Sequence, residues 1–438
     1  MDITFLVPGM PFTGDTLDGP TSLGGSETMG ALLAKELAFR GHRVRVFTTA
    51  DRAQDCNGVL YHPMGQSSPA APFGDHFHAW AEHTPQDVLV VQRIPHAFHR
   101  PTAAKVNLWW THDLALKRHL PQINSQIWNV DAVLAVSSFH KAQIGAVYGI
   151  GLDCIGIMPN GLDLERFAPW LPESGLAKQA GKRVLYSSRP ERGLPLFLDI
   201  AALVAEKDPG IVFQVCGYDN TTAEMASFYA ELHARAQTMP NVQWLGPLNK
   251  ANLAATMRAA WLHVYPTTFE ETSCLTAMEE MAAGTPFITG KVGALPETLT
   301  GGGVWWVNSG DAAGYAKAIF KLRDEPARWD TLREQALAKA PSYSIAKSAD
   351  AFEGIVQGIL KARTKVRSTR AAQALRTSDI IRLNTALAKP EDGIERRIAG
   401  ELKECYGFAL GKDADIEDHY KRYYAREAHI HPKAYEYR

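Results

Sequence analysis

The chain has 438 residues, too many for one ordinary hydrophobic core, so we expect two domains. Its 46% hydrophobic and 21% charged residues are typical of a globular protein, and the net charge of −1 gives no argument for a polyanionic partner. Five widely spaced cysteines without a CxxC pair argue against a disulfide framework or a zinc site. Because we find neither a signal peptide nor a membrane-spanning apolar run, we predict a cytoplasmic protein.

The chain opens with a predicted βαβ unit. Residues 3–7 have the composition of a buried strand, and a long polar loop leads to Gly24 and Gly25, which begin an amphipathic helix. Residues 42–48 form the next predicted strand. Glycines between a strand and a helix allow a phosphate to approach the backbone. Paired glycines also occur in simple turns, so this pair is a weak signal by itself.

Further strands of the first half end in polar residues. They are predicted at residues 87–91, 105–110, 131–136 and 155–158. Arg93 follows the first of these strands, and His112 follows the second. In a doubly wound sheet the carboxyl ends of parallel strands share one edge, where ligands bind in a crevice. We therefore expect Arg93 and His112 beside such a crevice, although a histidine at a strand end is often only a cap.

A second α/β pattern follows a break. Residues 166–181 have two prolines and no regular period, and we interpret them as an interdomain linker. Strands are then predicted at residues 183–186, 212–216, 242–245, 262–265, 286–289 and 304–307. We predict α/β architecture with two doubly wound, Rossmann-like domains, the N-terminal one over residues 1–165 and the C-terminal one over residues 182–345. Their strand ends would face each other across a cleft that forms the site.

Two segments follow the second sheet. Residues 346–362 are predicted to form a helix that returns toward the N-terminal domain, and residues 363–438 form a basic and then tyrosine-rich extension. Between 361 and 382, seven basic residues accompany one acidic residue. Such a run is most simply a solvated helix face. It also suits contact with a polyanion, either anionic lipid headgroups or a nucleic acid.

The most informative stretch spans residues 264–284, where a strand ends, a loop follows and a helix begins. The loop carries Glu271, and the helix carries Glu279. Between them lie the unpaired N–H donors of a helix start, which favour an anion or an electron-rich ligand. Those donors belong to Thr272, Ser273, Cys274 and Leu275. Such donors and carboxylates suit a sugar or sugar phosphate, although acidic residues near a helix start are also common caps.

Two arginines follow the first strand of the second sheet. Arg189 and Arg192 can clamp a diphosphate with charge-assisted hydrogen bonds. Glu279 can accept a hydrogen bond from a ribose diol, and Glu271 can accept one from sugar hydroxyls. The same wall of the cleft holds Gly217, Pro247 and Gly293. Because the sequence shows no metal-ligating cluster, we expect arginines and helix N-termini to stabilise a departing diphosphate without a metal ion.

These residues carry a resemblance to a known family. Glu271 and Glu279, followed by the Met-Ala-Ala-Gly-Thr-Pro run at 281–286, resemble the donor-site motif of retaining GT-B glycosyltransferases, especially glycosyltransferase family 4. The resemblance covers about residues 1–360 in order. Its other pieces are Gly24-Gly25, Thr111-His112-Asp113, Pro159-Asn160-Gly161-Leu162-Asp163 and Arg189…Arg192-Gly193-Leu194.

The resemblance implies roles for these residues. In such enzymes the first glutamate contacts the transferred sugar and the second contacts the nucleotide ribose, roles that would fall to Glu271 and Glu279. Arg189 and Arg192 would hold the diphosphate, and His112 would lie near the sugar and the acceptor. The candidate catalytic residues are thus Glu271, His112 and Arg189. The donor-binding set adds Gly24, Gly25, Arg192, Gly217, Pro247, Thr272, Ser273, Cys274, Leu275 and Glu279, and the acceptor-binding set is Arg93 and His112.

The predicted function is transfer of a hexose from a nucleoside diphosphate sugar, UDP- or GDP-linked, to an acceptor hydroxyl with retention of anomeric configuration. No permanently bound cofactor is expected. The acceptor is expected to be a glycan or a lipid-linked glycan, with a modified base in DNA as an alternative. A two-domain epimerase or phosphorylase and a non-catalytic nucleotide-sugar-binding protein also remain open. Glu270 and Glu280 are expected to matter much less than their neighbours.

Overall fold

The structure, a computed structural model, describes residues 1–367 except 70, 94, 169–173 and 218–222. Two α/β units follow each other along this part of the chain, each built on a largely parallel sheet. The predicted α/β architecture with two Rossmann-like domains is confirmed. Most of the predicted 363–438 extension and of the basic segment 361–382 lies outside the described residues.

The N-terminal domain is built on an eight-stranded sheet. Its elements are β1 (Asp2–Leu6), α1 (Gly25–Phe39), β2 (Arg43–Thr48), β3 (Gln54–Cys56), β4 (Val59–Pro63), α2 (Asp75–His83), β5 (Gln86–Gln92), β6 (Ala104–Trp110), α3 (Leu120–Gln126), β7 (Ala132–Ala135), α4 (Ser138–Tyr148) and β8 (Ile155–Ile157). The strand order is β3–β4–β2–β1–β5–β6–β7–β8, and only the β3–β4 pair is antiparallel among the described strands. The β3–β4 hairpin was not predicted, because both strands are short and partly polar.

Apolar side chains cover both faces of this sheet. One buried cluster lies under α1, and the other lies under α2, α3 and α4. The central strand β5 shows the consequence, since Val88, Leu89, Val90 and Val91 are all completely buried. Strands buried on both faces have continuous rather than alternating apolar sequences, which is why the sequence marked them clearly.

The C-terminal domain is built on a six-stranded parallel sheet, ordered β11–β10–β9–β12–β13–β14. The remaining elements are α5 (Leu164–Phe167), α6 (Ser174–Gly181), β9 (Arg183–Tyr186), α7 (Leu194–Ala205), β10 (Val212–Val215), α8 (Ala223–Gln237), β11 (Val242–Trp244), α9 (Lys250–Ala259), β12 (Leu262–Tyr265), α10 (Leu275–Ala282), β13 (Phe287–Thr289), α11 (Leu295–Leu299), β14 (Val304–Trp306), α12 (Ala312–Asp324), α13 (Pro326–Lys339) and α14 (Ile345–Arg367). The central position of β12 places the loop that follows it near the middle of the sheet edge.

The described part of the segment between the sheets contains a helix that its composition did not indicate. Helix α6 occupies the second part of the predicted linker and packs against α9. Its Lys178 is buried and donates to the backbone oxygen of Met257 at 3.2 Å and to the hydroxyl of Thr285 at 2.5 Å. Burial lowers the pKa of Lys178 to about 7. This stretch is therefore anchored to the C-terminal domain.

The long helix α14 returns to the N-terminal domain. Ala349, Phe352 and Val356 are buried in the cluster under α1. On the polar side of α14, Asp350 and Glu353 pair with Arg40, the residue that caps the end of α1, at 2.7 and 2.8 Å. The C-terminal helix thus completes the core of the first domain after the chain has built the second.

Candidate active site

Glu271 lies in the loop between β12 and α10 with its side chain almost fully buried. Its Oε1 accepts a hydrogen bond from the hydroxyl of Tyr265 at 2.5 Å and an ion-paired one from Nη1 of Arg192 at 3.0 Å. Arg192 stacks on Phe269, with its guanidinium carbon 4.1 Å from the ring centroid. Burial raises the pKa of Tyr265 well above its usual value, so the phenol keeps its proton and donates. The carboxylate is thereby held in one orientation.

Arg189 lies one turn before Arg192, and its side chain is 48% exposed. Its Nη1 is 3.9 Å from Oε1 of Glu191, a separation that leaves the guanidinium weakly held. Glu191 accepts a shorter hydrogen bond, 2.6 Å, from the hydroxyl of Tyr229. The two predicted diphosphate ligands therefore differ. Arg192 forms an ion pair with Glu271, whereas Arg189 extends into solvent.

The loop that carries Glu271 rests on Gly293. This glycine has φ of +55°, and a Cβ built on it would lie 2.6 Å from both the backbone nitrogen and the backbone oxygen of Glu271. The next residue, Ala294, donates its N–H to that oxygen at 2.7 Å. A side chain at position 293 would therefore displace the backbone of Glu271.

The start of α10 has an unusual backbone. Cys274 is its N-cap and has a left-handed conformation with φ of 70°, which is uncommon for a residue with a Cβ. Burial raises the pKa of the Cys274 thiol well above its usual value, so the thiol is not an anion. The buried hydroxyl of Ser273 has no hydrogen-bond partner among the described protein atoms. The helix start thus offers a ligand both backbone donors and a side-chain hydroxyl.

A pocket lies between the domains, and its wall includes Lys250, the partner of Glu279. It is lined by Ser22, Leu23, Ser187, Cys216, Gly217, Pro247, Leu248, Lys250 and Leu253. Glu279 is 5% exposed and accepts from Nζ of Lys250 at 3.1 Å, so the pocket wall carries a cation held by an anion. The predicted donor residues Gly217 and Pro247 both belong to this lining. Gly217, which follows β10, and Pro247, which follows β11, therefore border one cavity, and their role in donor binding stays a prediction.

The paired glycines reach the same region from the N-terminal domain. Gly24 is the N-cap of α1, and Gly25 begins the helix. A Cβ built on Gly25 would lie 3.1 Å from Cδ1 of Leu275, so the two helix starts meet across the cleft. Glu27 turns back over this loop, where its Oε1 accepts from the N–H of Met10 at 3.2 Å. The glycine pair is thus a site of close approach rather than a simple turn.

His112 is oriented by Gln92. The side-chain nitrogen of Gln92 donates to the backbone oxygen of Ser26 at 2.9 Å, which fixes the amide orientation. The same nitrogen lies 2.9 Å from Nε2 of His112, so this ring nitrogen accepts and the ring proton lies on Nδ1. Burial lowers the pKa of His112 to about 3. At neutral pH the imidazole is therefore uncharged, with Nδ1–H as its donor.

Arg93 follows β5 with a positive φ of 68°. Its guanidinium forms two hydrogen bonds with the carboxylate of Asp113, at 2.9 and 3.1 Å. The backbone oxygen of Asp113 accepts from Nε2 of His140, a buried side chain of α4. Arg93 therefore lies on the predicted wall of the cleft, but its guanidinium is already paired with the carboxylate of Asp113.

The N-terminal wall of the cleft contacts the loop that carries Glu271 directly. The hydroxyl of Thr272 donates to the backbone oxygen of His112 at 2.9 Å, and the hydroxyl of Ser137 donates to the backbone oxygen of Thr272 at 2.6 Å. The two sheets thus meet at their carboxyl-terminal edges, and the residue after Glu271 is held by the opposite domain.

The two glutamates expected to matter little are both buried. Glu280 is completely buried and lies 2.9 Å from Nδ1 of His263, which is also completely buried. Glu270 is 4% exposed. Removing one partner of a buried hydrogen-bonded pair leaves the other polar group unsatisfied, which is destabilising. Neither residue therefore serves as a neutral control for Glu271 or Glu279.

Several site residues were not identified from the sequence. They are Tyr265, Lys250, Gln92, Ser137 and Glu297. Tyr265 ends a predicted strand and Gln92 follows one directly, positions that could have drawn attention to them. One local feature could have indicated a role for Lys250 other than helix stability, since a cation at the first helical position opposes the helix dipole. In residues 1–367, apart from the gaps, no group of three or more His, Cys, Asp or Glu side chains is placed to hold a metal ion.

Two nucleotide-binding-type domains that meet at their strand ends define the GT-B class of glycosyltransferase fold. Solved structures agree: sucrose-phosphate synthase from Thermosynechococcus elongatus superimposes with a TM-score of 0.66 at 17% identity, over 83% of this chain and 100% of that one. Anabaena HepE in complex with UDP-glucose gives a TM-score of 0.62 at 18% identity, over 83% of this chain and 99% of that one. These likenesses establish the fold.

Sequence comparison identifies the family. The profile of Glycosyltransferase Family 4 matches residues 23–166, and that of Glycosyl transferases group 1 matches residues 181–325. The chain belongs to this family of glycosyltransferases, which confirms the resemblance seen in its motifs.

Individual relatives are more distant. Glycogen synthase of Mycobacterium tuberculosis (strain ATCC 25618 / H37Rv) is 28% identical over 286 residues, or 62% of this chain and 64% of that protein. D-inositol 3-phosphate glycosyltransferase of Pseudarthrobacter chlorophenolicus is 28% identical over 224 residues, or 50% of this chain and 53% of that protein. The chain thus spans between about half and two thirds of the length of these relatives. Among the described residues, no helix is long and apolar enough to cross a bilayer.

Proposed function

We propose that the protein transfers a hexose from a nucleoside diphosphate sugar to an acceptor hydroxyl, with retention of anomeric configuration. The observation that carries this proposal is the pairing of two buried glutamates with two cations at one helix start. Glu271 is held by Arg192, and Glu279 is held by Lys250. The spacing of the two carboxylates along loop and helix suits one extended ligand with a sugar at one end and a ribose at the other.

The donor diphosphate would lie between Arg189 and the start of α10. Arg189 is 48% exposed and is held only weakly by Glu191 at 3.9 Å, as suits a ligand-binding cation. The helix start supplies N–H donors that favour an anion. Together they would stabilise the charge that develops on the leaving phosphate. The name of one structural neighbour, HepE in complex with UDP-glucose, supports a nucleotide sugar as co-substrate.

Glu271 would bind the sugar rather than attack it. Its Oε1 is already engaged by Tyr265 and Arg192, and a carboxylate stabilised in this way is a weak nucleophile. In the front-face mechanism that the family resemblance implies, the leaving phosphate itself takes the proton of the acceptor hydroxyl. The protein would then contribute positioning and charge stabilisation.

His112 would act as a hydrogen-bond donor. Its Nε2 accepts from Gln92 and its pKa is lowered to about 3, so the ring is neither a cation nor a free base at neutral pH. The remaining Nδ1–H can donate to a hydroxyl of the sugar or of the acceptor. A glycan or lipid-linked glycan acceptor fits the names of the relatives, glycogen synthase and an inositol phosphate glycosyltransferase.

A donor and acceptor screen tests the proposal. The full chain is incubated with UDP- and GDP-hexoses and candidate glycans, and both the released nucleoside diphosphate and the new glycoside are measured. A transferase produces both in equal amounts. An epimerase changes the sugar without releasing the diphosphate, and a binding protein raises the melting temperature without turnover. Either of these outcomes contradicts the proposal.

Variants locate the activity in the cleft. Glu271→Gln keeps the side-chain size but removes the charge, and we expect kcat to fall about 10²- to 10³-fold. Glu334→Gln, on the exposed face of α13, is the matched control and is expected to retain wild-type kcat. If Glu271→Gln folds normally and transfers sugar at the wild-type rate, the assignment of this residue is wrong.

A further inference from the structure

Lys250 is the first residue of α9 and lies in the wall of the pocket beside Glu279. Its side chain is 11% exposed, and its Nζ lies 3.1 Å from Oε1 of Glu279. Burying an ion pair costs desolvation of both charges, and a cation in the first turn of a helix opposes the helix dipole. Helix stability therefore does not account for a lysine at this position.

The surroundings of Lys250 point to a ligand. Among the residues described in the pocket lining, Lys250 is the one that carries a charge, and most of its neighbours there are apolar or lack long side chains. The lining comes from both domains, with Ser22 and Leu23 on one side and Gly217 and Pro247 on the other. An ammonium group in such a pocket can bind an oxygen of whatever molecule fills it.

We infer that Lys250 and Glu279 act together as a clamp for the ribose diol of the nucleotide. Each ribose hydroxyl both donates and accepts, so it can donate to the carboxylate and accept from the ammonium. Glu279 uses one of the three N–H donors of Lys250, which leaves donors for the ligand. The inference rests on the proposed function and deepens it, because it adds a residue that selects ribonucleotides over deoxyribonucleotides.

Isothermal titration of the full chain with UDP and GDP, and with their 2′-deoxy and 3′-deoxy analogues, tests the inference. For the wild type we expect the better-bound ribonucleotide to bind about 5- to 50-fold more tightly than its deoxy analogues, the range for one or two hydrogen bonds. Lys250→Met should weaken ribonucleotide binding about 10- to 100-fold and move the ribose-to-deoxyribose ratio toward one. A purely structural lysine would leave this ratio unchanged.

Lys321→Met is the matched control, since Lys321 forms an ion pair with Glu325 at 2.6 Å on α12 but its side chain is 48% exposed. It should leave both affinity and ratio unchanged. Equal binding of ribo- and deoxyribonucleotides by the wild type overturns the inference, and this measurement needs no variant. A wild-type ratio retained by Lys250→Met, or by Lys250→Gln where the first variant melts early, overturns it as well. Failure of the wild type to bind either UDP or GDP instead contradicts the proposed function itself.

Discussion

The carboxylate of Glu297, in the C-terminal domain, caps a helix of the N-terminal domain by accepting from the N–H of Ser138 at 2.8 Å. It also accepts from the N–H of Phe139 at 3.1 Å. An anion at a helix start satisfies unpaired donors and the helix dipole, but here the anion comes from the opposite domain. Because Glu297 follows the Gly293 turn that supports Glu271, contact between the domains is linked to the position of Glu271.

Removing this contact should loosen the cleft. For Glu297→Ala we expect kcat/KM to fall about 5- to 10-fold, since a helix cap contributes about 1 kcal/mol. Small-angle scattering should show a larger radius of gyration than for the wild type. Glu334→Ala, an exposed change on α13, should alter neither quantity. Unchanged kinetics and scattering for Glu297→Ala would show that the cap does not hold the domains together.

Substitutions at two glycines can distinguish the effect of backbone strain from the effect of a steric clash with the Glu271 backbone. Gly293 and Gly310 both have positive φ, +55° and +85°, but a Cβ on Gly293 would overlap the Glu271 backbone, whereas one on Gly310 meets nothing within 4 Å. Gly310→Ala should lower the free energy of unfolding by about 1 kcal/mol through strain alone.

Gly293→Ala carries the same strain and also displaces Glu271. We expect a larger loss of stability, about 2–4 kcal/mol, together with a fall in kcat of at least about tenfold. Thermal melts and initial rates of the two variants check this. Equal effects of the two substitutions would mean that the contact with Glu271 is unimportant.

The two arginines should affect the kinetic constants differently. Arg192 orients Glu271 and stacks on Phe269, so Arg192→Lys, which keeps the charge but not the planar group, should lower kcat about tenfold or more. Arg189 would hold the diphosphate both when the donor binds and as the phosphate leaves, so Arg189→Ala should raise KM for the donor about 10- to 100-fold and also lower kcat. Steady-state kinetics with a saturating acceptor distinguish these effects. If Arg192→Lys instead raised KM and Arg189→Ala affected only kcat, the roles proposed for the two arginines would have to be exchanged.

Three histidines with lowered pKa values predict sensitivity to acid. Burial lowers the pKa of His112 to about 3, and that of His78 and His140 to about 4, from 6.5. Below pH 6.5 the unfolded chain therefore binds protons that the folded chain does not. The free energy of unfolding consequently decreases as the pH is lowered from about 6.5 to 4. Each histidine contributes at most about 1.4 kcal/mol per pH unit in this window.

Substituting one of these histidines should weaken the pH dependence of the free energy of unfolding. His78→Phe should reduce the number of protons taken up on unfolding at pH 5 by about one. Ala79→Ser, an exposed change on the same helix that removes no titrating group, should leave that number unchanged. Denaturant titrations from pH 4.5 to 8 measure it. A His78→Phe curve parallel to that of the wild type would argue against a buried, neutral histidine.

Much of the architecture was predictable from the sequence. Continuous apolar runs such as Val88–Val91 mark strands buried on both faces, and Gly and Pro mark their ends. The chain order of strands and helices then predicts two parallel sheets with their sites at one edge. The spacing of Glu271 and Glu279 is likewise local, because both lie on one loop-and-helix unit.

The hydrogen bonds and ion pairs of the site were not predictable, because they join residues far apart in the chain. Arg192 was predicted as a diphosphate ligand, but it is 79 positions from Glu271, and only the adjacency of β9 and β12 brings the two side chains together. Lys250 meets Glu279 in the same way, 29 positions away. Glu297 reaches Ser138 only because the two sheets meet edge to edge.

The sequence by itself thus determined the two domains, their sheet type and the carboxylates that mark the cleft, since hydrophobic periodicity and helix signals are local properties of the chain. The tertiary structure alone decided which cation holds each carboxylate, which histidine nitrogen carries the proton and which helix is capped across the cleft. Those features depend on distances of about 3 Å between separate elements, and such distances are fixed only when the sheets pack and the domains meet.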